Sequence, residues 1–143
     1  MTQIRIGNGY DIHRMETGDG LILGNLKIPF NKKFIAHSDG DVLIHAIIDA
    51  IFGALCDGDI GSHFPDTDPQ YKGIDSAELL RQTVIIMNER GYHLGNLDAQ
   101  IICQQPRLRP HIDTIRDRLA ELLKSSADDI SLKAKTKEHC DSV

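Results

Sequence analysis

Apolar and polar positions alternate along the chain with the periods of short strands and amphipathic helices. The pattern predicts strands at residues 4–13, 21–23, 26–28, 97–103 and 130–136, the second and third joined by a Gly-Asn turn. It predicts helices at residues 41–55, from Asp75 or Ser76 to Arg90, and at 110–123. Because strands and helices alternate, we expect an α/β or α+β class, with helices packed against one face of a small mixed sheet. No repeat or linker interrupts the 143 residues, so we expect one domain over residues 1–143.

The predicted helix at residues 41–55 is apolar except for one narrow polar stripe. Asp41, His45 and Asp49 are spaced four residues apart and therefore share one face. Aspartate and histidine are costly to bury without a partner, so the stripe favours a functional site over plain core packing. We interpret Asp49 as the residue that hydrogen-bonds the free imidazole nitrogen of His45.

Asp11 and His13 are two residues apart in the first predicted strand, so their side chains should point to the same face. One carboxylate and two imidazoles on two rigid elements are typical of a three-ligand divalent metal site with an open position. Asp11, His13 and His45 are therefore the candidate ligands. These ligands do not distinguish zinc from iron, because two histidines and one carboxylate also hold non-haem iron.

Composition narrows the possible functions and partners. The net charge of −5 argues against a nucleic-acid-binding surface. No apolar run approaches the ~20 residues of a membrane span, and the N-terminus lacks the layout of a signal peptide. Cys56, Cys103 and Cys140 are far apart and odd in number, as in proteins with reduced thiols. We therefore expect a cytoplasmic protein with neither nucleic acid nor membrane as a partner.

Two loops offer groups that bind polar ligands. His37 and Ser38 precede the helix at residues 41–55, where exposed N–H groups bind anions, so both are candidates for contact with a phosphate. The acidic stretch at residues 57–68 lacks the residues that a calcium-binding EF-hand needs at its fifth and twelfth positions. It favours a mobile loop that holds a polyol. The alternative for the segment of His37 and Ser38 is a plain capping loop, and the alternative for residues 57–68 is a solvated loop.

The last predicted strand carries two different faces. Lys133, Lys135 and Lys137 share one face, which is most simply a solvated edge. Thr136 and Glu138 share the other face, and a glutamate suits a second, hard cation such as magnesium bound to a phosphate.

Taken in order, several segments resemble the 2-C-methyl-D-erythritol 2,4-cyclodiphosphate synthase family of the non-mevalonate isoprenoid pathway. The matching segments are residues 9–13, 37–41 through His45, 58–61, 64–68, 72–76, 91–92, 94–96 and 106–111. The resemblance is collinear from residue 4 to Glu138. It implies a homotrimer with active sites between subunits, each subunit an α/β sandwich whose sheet faces the threefold axis.

The resemblance also implies roles for individual residues. Zinc would bind Asp11, His13 and His45, while magnesium or manganese would bind Glu138. His37 and Thr136 would stabilise the transition state, and Ile12 and Ser38 would contact the substrate beside Asp11, His13 and His37. The methylerythritol part would contact Asp59, Ile60, Gly61, Phe64, Pro65, Asp66, Thr67 and Asp68. The cytidine and diphosphate pocket would comprise Cys103, Gln104, Gln105, Pro106, Arg107, Leu108, Arg109, Lys135, Thr136, Lys137 and Glu138.

The implied activity is that of a cyclising phosphorus–oxygen lyase. It would convert 4-diphosphocytidyl-2-C-methyl-D-erythritol 2-phosphate to 2-C-methyl-D-erythritol 2,4-cyclodiphosphate and CMP. Two alternatives fit the same ligands: a non-haem iron oxygenase, and a non-enzymatic trimeric isoprenoid-binding protein with a structural metal. A structural zinc needs a fourth protein ligand, and the sequence offers no obvious one. The family has a run of threonines where this chain has Lys135, Thr136 and Lys137, and it continues beyond Val143, so we expect a C-terminal element to be missing.

Overall fold

The computed structural model describes residues 3–138, which form two units that divide between His93 and Leu94. The first unit contains β1 (Met15–Thr17), β2 (Leu21–Leu23), β3 (Leu26–Ile28), β4 (Lys32–Phe34), α1 (Val42–Leu55), α2 (Ile60–His63) and α3 (Ser76–Glu89). The second contains β5 (Leu97–Ile102), α4 (Ile112–Leu123) and β6 (Ile130–Lys135). Short 3₁₀ turns lie at Pro69–Tyr71, Arg109–His111 and Ala127–Asp129.

The predicted helices are confirmed close to their expected ends. Asp41 caps α1, and Asp75 caps α3 by accepting a hydrogen bond from the N–H of Ala77. Gly91 follows α3 with φ of 79°, a conformation in which glycine avoids the strain of a side chain. The last helix begins at Ile112 instead of Pro110, because residues 109–111 form a 3₁₀ turn first.

The sheet arrangement differs from the prediction, although the α+β class is confirmed. Antiparallel ladders join β1 to β4 and β2 to β3, while β5 and β6 pair in parallel. The described residues therefore form three two-stranded sheets instead of one mixed sheet. The hairpin of β2 and β3 was predicted at its observed bounds, whereas β1, β4 and α2 were not predicted.

The predicted strand at residues 4–13 is wrong, because these residues lie in no strand. Two local features explain this. The Asp11 carboxylate accepts the N–H of Ile12 at 2.8 Å, which competes with strand pairing. A Cβ on Gly7 would lie 1.7 Å from the carbonyl oxygen of Ala50 in α1, so only glycine permits this approach of the segment to the helix. The segment thus packs closely against α1, and Asp11 follows this close approach.

Helices α1 and α3 pack together to form the core of the first unit. The fully buried side chains of this unit include Leu21, Ile28, Ile44, Ile48, Phe52, Leu80 and Val84. Because both helices and the hairpin contribute to one apolar core, the N-terminal end of α1 has a fixed position.

In the second unit, α4 packs on β6 and connects the two parallel strands. Ile115, Leu119 and Leu123 form the buried face of α4. The register pairs Leu97 with Ile130 and continues to Ile102 and Lys135. Across residues 3–138, no helix has both the length and the apolar character needed to cross a membrane.

Candidate active site

The N-terminal end of α1 is held by the carboxylate of Asp41, which is completely buried. One oxygen accepts the N–H of Ile44 at 3.1 Å and of Gly24 at 3.0 Å, and the other accepts the N–H of Asn25 at 2.7 Å. Burial raises the pKa of this carboxyl, and the three N–H donors oppose that change. Asp41 therefore joins the start of α1 to the turn between β2 and β3, and it fixes the direction in which His45 projects.

Asp11, His13 and His45 lie together, as their spacing predicted. The Nδ1 atoms of His13 and His45 are 3.1 and 3.2 Å from Oδ2 of Asp11. The side chains are 13%, 12% and 25% exposed for His13, His45 and Asp11, whereas Ile12 points away and is 64% exposed. The prediction that Asp11 and His13 share a side is confirmed, although they do so outside a regular strand.

The geometry of this cluster fits a divalent cation. One possible ligand atom from each residue lies within 4.8 Å of the others, close enough to share one ion. The Nδ1 atom of His13 is buried and forms no hydrogen bond of acceptable geometry, so this nitrogen is available to a metal in the tautomer that carries its proton on Nε2. Burial raises the pKa of the Asp11 carboxyl, but the neighbouring imidazoles of His13 and His45 lower it more, and the result is well below the usual range. Asp11 is thus a carboxylate that can act as a ligand.

The other imidazole nitrogen of His45 has different partners from the one predicted. Its Nε2 lies 3.1 Å from Oγ of Ser38 and 2.9 Å from Oγ of Ser76. The predicted partner, Asp49, instead accepts the N–H of Ile60 at 2.8 Å. The assignment of Asp49 as the partner of His45 is therefore wrong, because the carboxylate of Asp49 is hydrogen-bonded to the first N–H of α2. The four-residue spacing correctly gave the helix face, but it could not reveal a competing backbone donor from α2.

The segment of His37 and Ser38 is tied to the loop before α3 by two backbone hydrogen bonds. Gly73 donates to the carbonyl of His37 at 2.8 Å, and Asp39 donates to the carbonyl of Ile74 at 3.1 Å. His37 is exposed, while Ser38 is partly buried beside His45. The structure therefore brings Ser38 to the cluster of Asp11, His13 and His45 and leaves the His37 side chain open to solvent.

The acidic segment at residues 57–68 has more regular structure than the predicted mobile loop. Asp59 caps α2 by accepting the N–H and the hydroxyl of Ser62 at 2.8 and 2.7 Å. These hydrogen bonds lower the pKa of Asp59. Asp68 caps the following 3₁₀ turn by accepting the N–H of Gln70 at 3.0 Å. Local capping thus shapes this segment, while Gly61 and Asp66 remain exposed.

The end of α2 is anchored by aromatic and charged contacts. The rings of His63 and Phe52 are stacked 3.8 Å apart, and Phe64 is buried against the same core. Asp57 lies 2.6 Å from Arg90 and 3.1 Å from His63. The side chain of Phe64 is thus packed in this core, and its predicted contact with substrate stays a prediction.

In the second unit, the two segments predicted to form the nucleotide pocket are adjacent. The N–H of Cys103, the residue after β5, donates to the carbonyl of Lys135, the last residue of β6, at 2.9 Å. Its thiol donates to the carbonyl of Gln105, and burial raises the pKa of that thiol. Leu108 is buried, whereas Arg107 and Arg109 are exposed. The loop therefore presents its polar side chains and packs its leucine inward.

The predicted face shared by Thr136 and Glu138 is not part of a strand, because β6 ends at Lys135. The two residues are nevertheless close, since the hydroxyl of Thr136 donates to the Glu138 carboxylate. On the strand itself, Lys133 pairs with Asp98 on β5 at 2.5 Å. The lysine face is thus partly an ion-paired cross-strand face.

These features define a small α+β protein with a candidate three-ligand metal centre at the start of the apolar helix α1. Residues 4–143 match the YgbB family, and the chain therefore belongs to that family.

Named relatives and solved structures agree on this assignment. The 2-C-methyl-D-erythritol 2,4-cyclodiphosphate synthase of Thioalkalivibrio sulfidiphilus is 53% identical over 138 residues, which are 96% of this chain and 86% of the relative. A CDP-bound structure of a synthase of the same name has a TM-score of 0.89 and 41% identity, covering 94% of this chain and 90% of that one. IspF of Plasmodium falciparum in complex with CDP has a TM-score of 0.82 and 36% identity, covering 96% and 84%.

Proposed function

We propose that this chain converts 4-diphosphocytidyl-2-C-methyl-D-erythritol 2-phosphate to 2-C-methyl-D-erythritol 2,4-cyclodiphosphate and CMP. The observation that carries the proposal is the Asp11, His13 and His45 cluster, found in a chain whose relatives bear the name of this synthase. In the reaction, an oxygen of the 2-phosphate forms a bond to the β-phosphorus of the diphosphate. The bond from that phosphorus to the bridging oxygen breaks, and CMP leaves with the electron pair. By reaction type, the enzyme is a cyclising phosphorus–oxygen lyase.

Asp11, His13 and His45 would hold a zinc ion. Imidazole suits zinc, and the buried Nδ1 atom of His13 has no hydrogen-bond partner of acceptable geometry that would compete with the ion. When bound, the ion supplies positive charge that polarises the phosphoryl group under attack. Ser38, beside His45, and the exposed His37 would donate hydrogen bonds to phosphate oxygens.

The rest of the site would orient a flexible substrate. The nucleophile is already an anion, so the protein needs no strong general base. Intramolecular reactions held in a productive geometry can gain roughly 7–11 kcal/mol, which makes substrate folding as important as charge. The capped segment around α2 would hold the methylerythritol part, and the adjoining segments at Cys103 and Lys135 would hold cytidine and diphosphate.

A second cation would bind at Glu138, where a carboxylate suits magnesium or manganese bound to phosphates. Thr136 is in contact with this carboxylate and would hydrogen-bond the transition state. Two cations are appropriate because the chain carries a net charge of −5 and acts on a polyanion.

The assembly would be a homotrimer with active sites between subunits. Large apolar side chains support this proposal, because Ile4 and Ile6 are 87% and 91% exposed in a single chain. Such exposed apolar surface is typical of a face that another subunit covers. The threefold symmetry follows from the family resemblance.

The test is release of CMP from the proposed substrate by purified protein supplied with zinc and magnesium. The wild-type chain should release CMP without consuming oxygen, and His45→Ala should lose the activity. The matched control is His93→Ala, which removes an exposed histidine that is not among the candidate ligands and should retain activity. Oxygen consumption with bound iron would support an oxygenase instead. Absence of CMP release from a zinc-loaded, assembled chain would support a non-enzymatic binding protein.

A further inference from the structure

A buried serine links a carboxylate to the outer nitrogen of His45. Ser76, the first residue of α3, is completely buried. Its hydroxyl oxygen is in hydrogen-bond contact with Oδ1 of Asp39 and lies 2.9 Å from Nε2 of His45. The N–H of Ser76 also donates to Oδ2 of Asp39 at 3.1 Å. The hydroxyl and the N–H of Ser76 are therefore both hydrogen-bonded to the carboxylate of Asp39.

The direction of these hydrogen bonds follows from what each group can donate. A carboxylate only accepts, so the contact between Asp39 and Ser76 requires the serine proton to point at Asp39. The serine oxygen can then only accept from His45, which requires the proton of the neutral imidazole to be on Nε2. The lone pair of the ring is consequently on Nδ1, which lies 3.2 Å from Oδ2 of Asp11.

We propose that Asp39 and Ser76 are positioning residues that hold His45 in the Nε2–H tautomer and direct its Nδ1 lone pair toward the metal. This inference deepens the proposed function, because it rests on a metal bound by Asp11, His13 and His45. In this tautomer the Nδ1 lone pair of His45 and Oδ2 of Asp11 are both acceptors, 3.2 Å apart, whereas the opposite tautomer would donate Nδ1–H to that oxygen. A cation is the group that satisfies such a pair.

Ser38 is the alternative partner of Nε2. Its oxygen lies 3.1 Å from Nε2 and accepts the N–H of Gly40 at 3.2 Å. If the Ser38 hydroxyl donated to Nε2, the ring proton would be on Nδ1 and would occupy the position of the metal. With Ser76 as the acceptor, the Ser38 proton is instead available to a phosphate. Which of the two serines forms the hydrogen bond that sets the proton of Nε2 therefore decides whether Nδ1 of His45 is free to bind a metal.

The experiment measures the tautomer of His45 directly. The 143-residue chain, labelled with ¹⁵N-histidine and freed of metal with a chelator, is studied by long-range ¹H–¹⁵N NMR at mildly alkaline pH. The His45→Gln variant assigns the resonance. Zinc affinity of the same samples is measured by competition with a chromogenic chelator. We expect the Nε2–H form in the wild-type chain.

Four variants separate an effect on the tautomer from an effect on general stability. Ser76→Ala should increase the Nδ1–H population and weaken zinc binding by about 10–100-fold, whereas Ser76→Thr, which retains the hydroxyl, should restore both. Ser38→Ala should leave the tautomer unchanged. Thr83→Val is the matched control, because it removes another completely buried hydroxyl of α3, one that donates to Leu79. It should change neither tautomer nor zinc affinity.

The outcomes distinguish this inference from the proposed function. An Nδ1–H tautomer in the wild-type chain, or a change of tautomer in Ser38→Ala, overturns the role of Asp39 and Ser76 even if zinc binds. An Nε2–H tautomer in a wild-type chain that binds no zinc supports the hydrogen-bond direction and overturns the metal centre. If Ser76→Ala does not fold, the tautomer of the wild-type chain and the Ser38→Ala variant still decide the matter.

Discussion

Replacing the buried carboxylate of Asp41 should destabilise the chain more than replacing any exposed helix cap. Asp41→Ala removes the acceptor for three backbone N–H groups, and those of Gly24 and Ile44 are buried. A buried donor left without a partner costs about 1–3 kcal/mol, and removing a buried charge offsets part of this loss. We expect the free energy of unfolding to fall by about 3 kcal/mol. With a urea m-value of about 1–3 kcal/mol/M, the unfolding midpoint should fall by about 1–3 M.

The matched control for this prediction is Asp75→Ala. Asp75 also caps a helix of the same unit, but it is exposed and accepts one N–H, that of Ala77 at 2.8 Å. Its loss should cost about 1 kcal/mol. Unfolding is followed by circular dichroism at one fixed protein concentration, because any assembly would make the midpoint depend on concentration. Equal destabilisation by the two variants would refute the argument that Asp41 joins the hairpin to α1 through buried hydrogen bonds.

Four further predictions concern the metals, the assembly and the transition state. The purified wild-type chain should hold about one zinc ion per subunit and His45→Ala should lose it; elemental analysis showing equal zinc in both would remove His45 from the site. Sedimentation equilibrium should give a homotrimer, and a stable monomer of the full-length protein would contradict the proposed assembly. Glu138→Gln should keep its zinc while turnover falls at limiting magnesium, so loss of zinc or wild-type turnover would rule out separate roles for the two metals. Thr136→Ala should lower kcat with little change in CDP affinity, and a weaker affinity at unchanged kcat would contradict a transition-state role.

Local sequence patterns predicted the helices, the hairpin and the metal cluster. The helical period and the aspartate caps gave α1 and α3 to within one or two residues. The Gly-Asn turn gave the hairpin, since Gly24 and Asn25 have φ of 57° and 58°, as a tight turn between short strands requires. The cluster could be predicted because each of its signals depends on nearby residues only. These signals are the spacing of Asp11 and His13 and the position of His45 as a lone histidine in an apolar helix.

Features that depend on distant partners could not be predicted in the same way. Residues 4–13 have strand-like alternation, but the close approach of Gly7 to α1 becomes visible only in three dimensions. The partner of Asp49 is a backbone N–H eleven residues away, and the partner of His45 is a serine thirty-one residues away. Ser76 was recognised as a helix start, and no sequence spacing indicates that its hydroxyl reaches the candidate metal site.

The most direct test of the central claim is to follow the proposed substrate by ³¹P NMR with the zinc- and magnesium-loaded wild-type chain. The 2-phosphate resonance should disappear as CMP and a cyclic diphosphate appear in equal amounts, because ring closure and departure of CMP are one step. His45→Ala should leave the substrate unchanged. Formation of CMP with an open-chain bisphosphate would show that water attacks the β-phosphorus, and it would contradict the proposal that this site closes a ring.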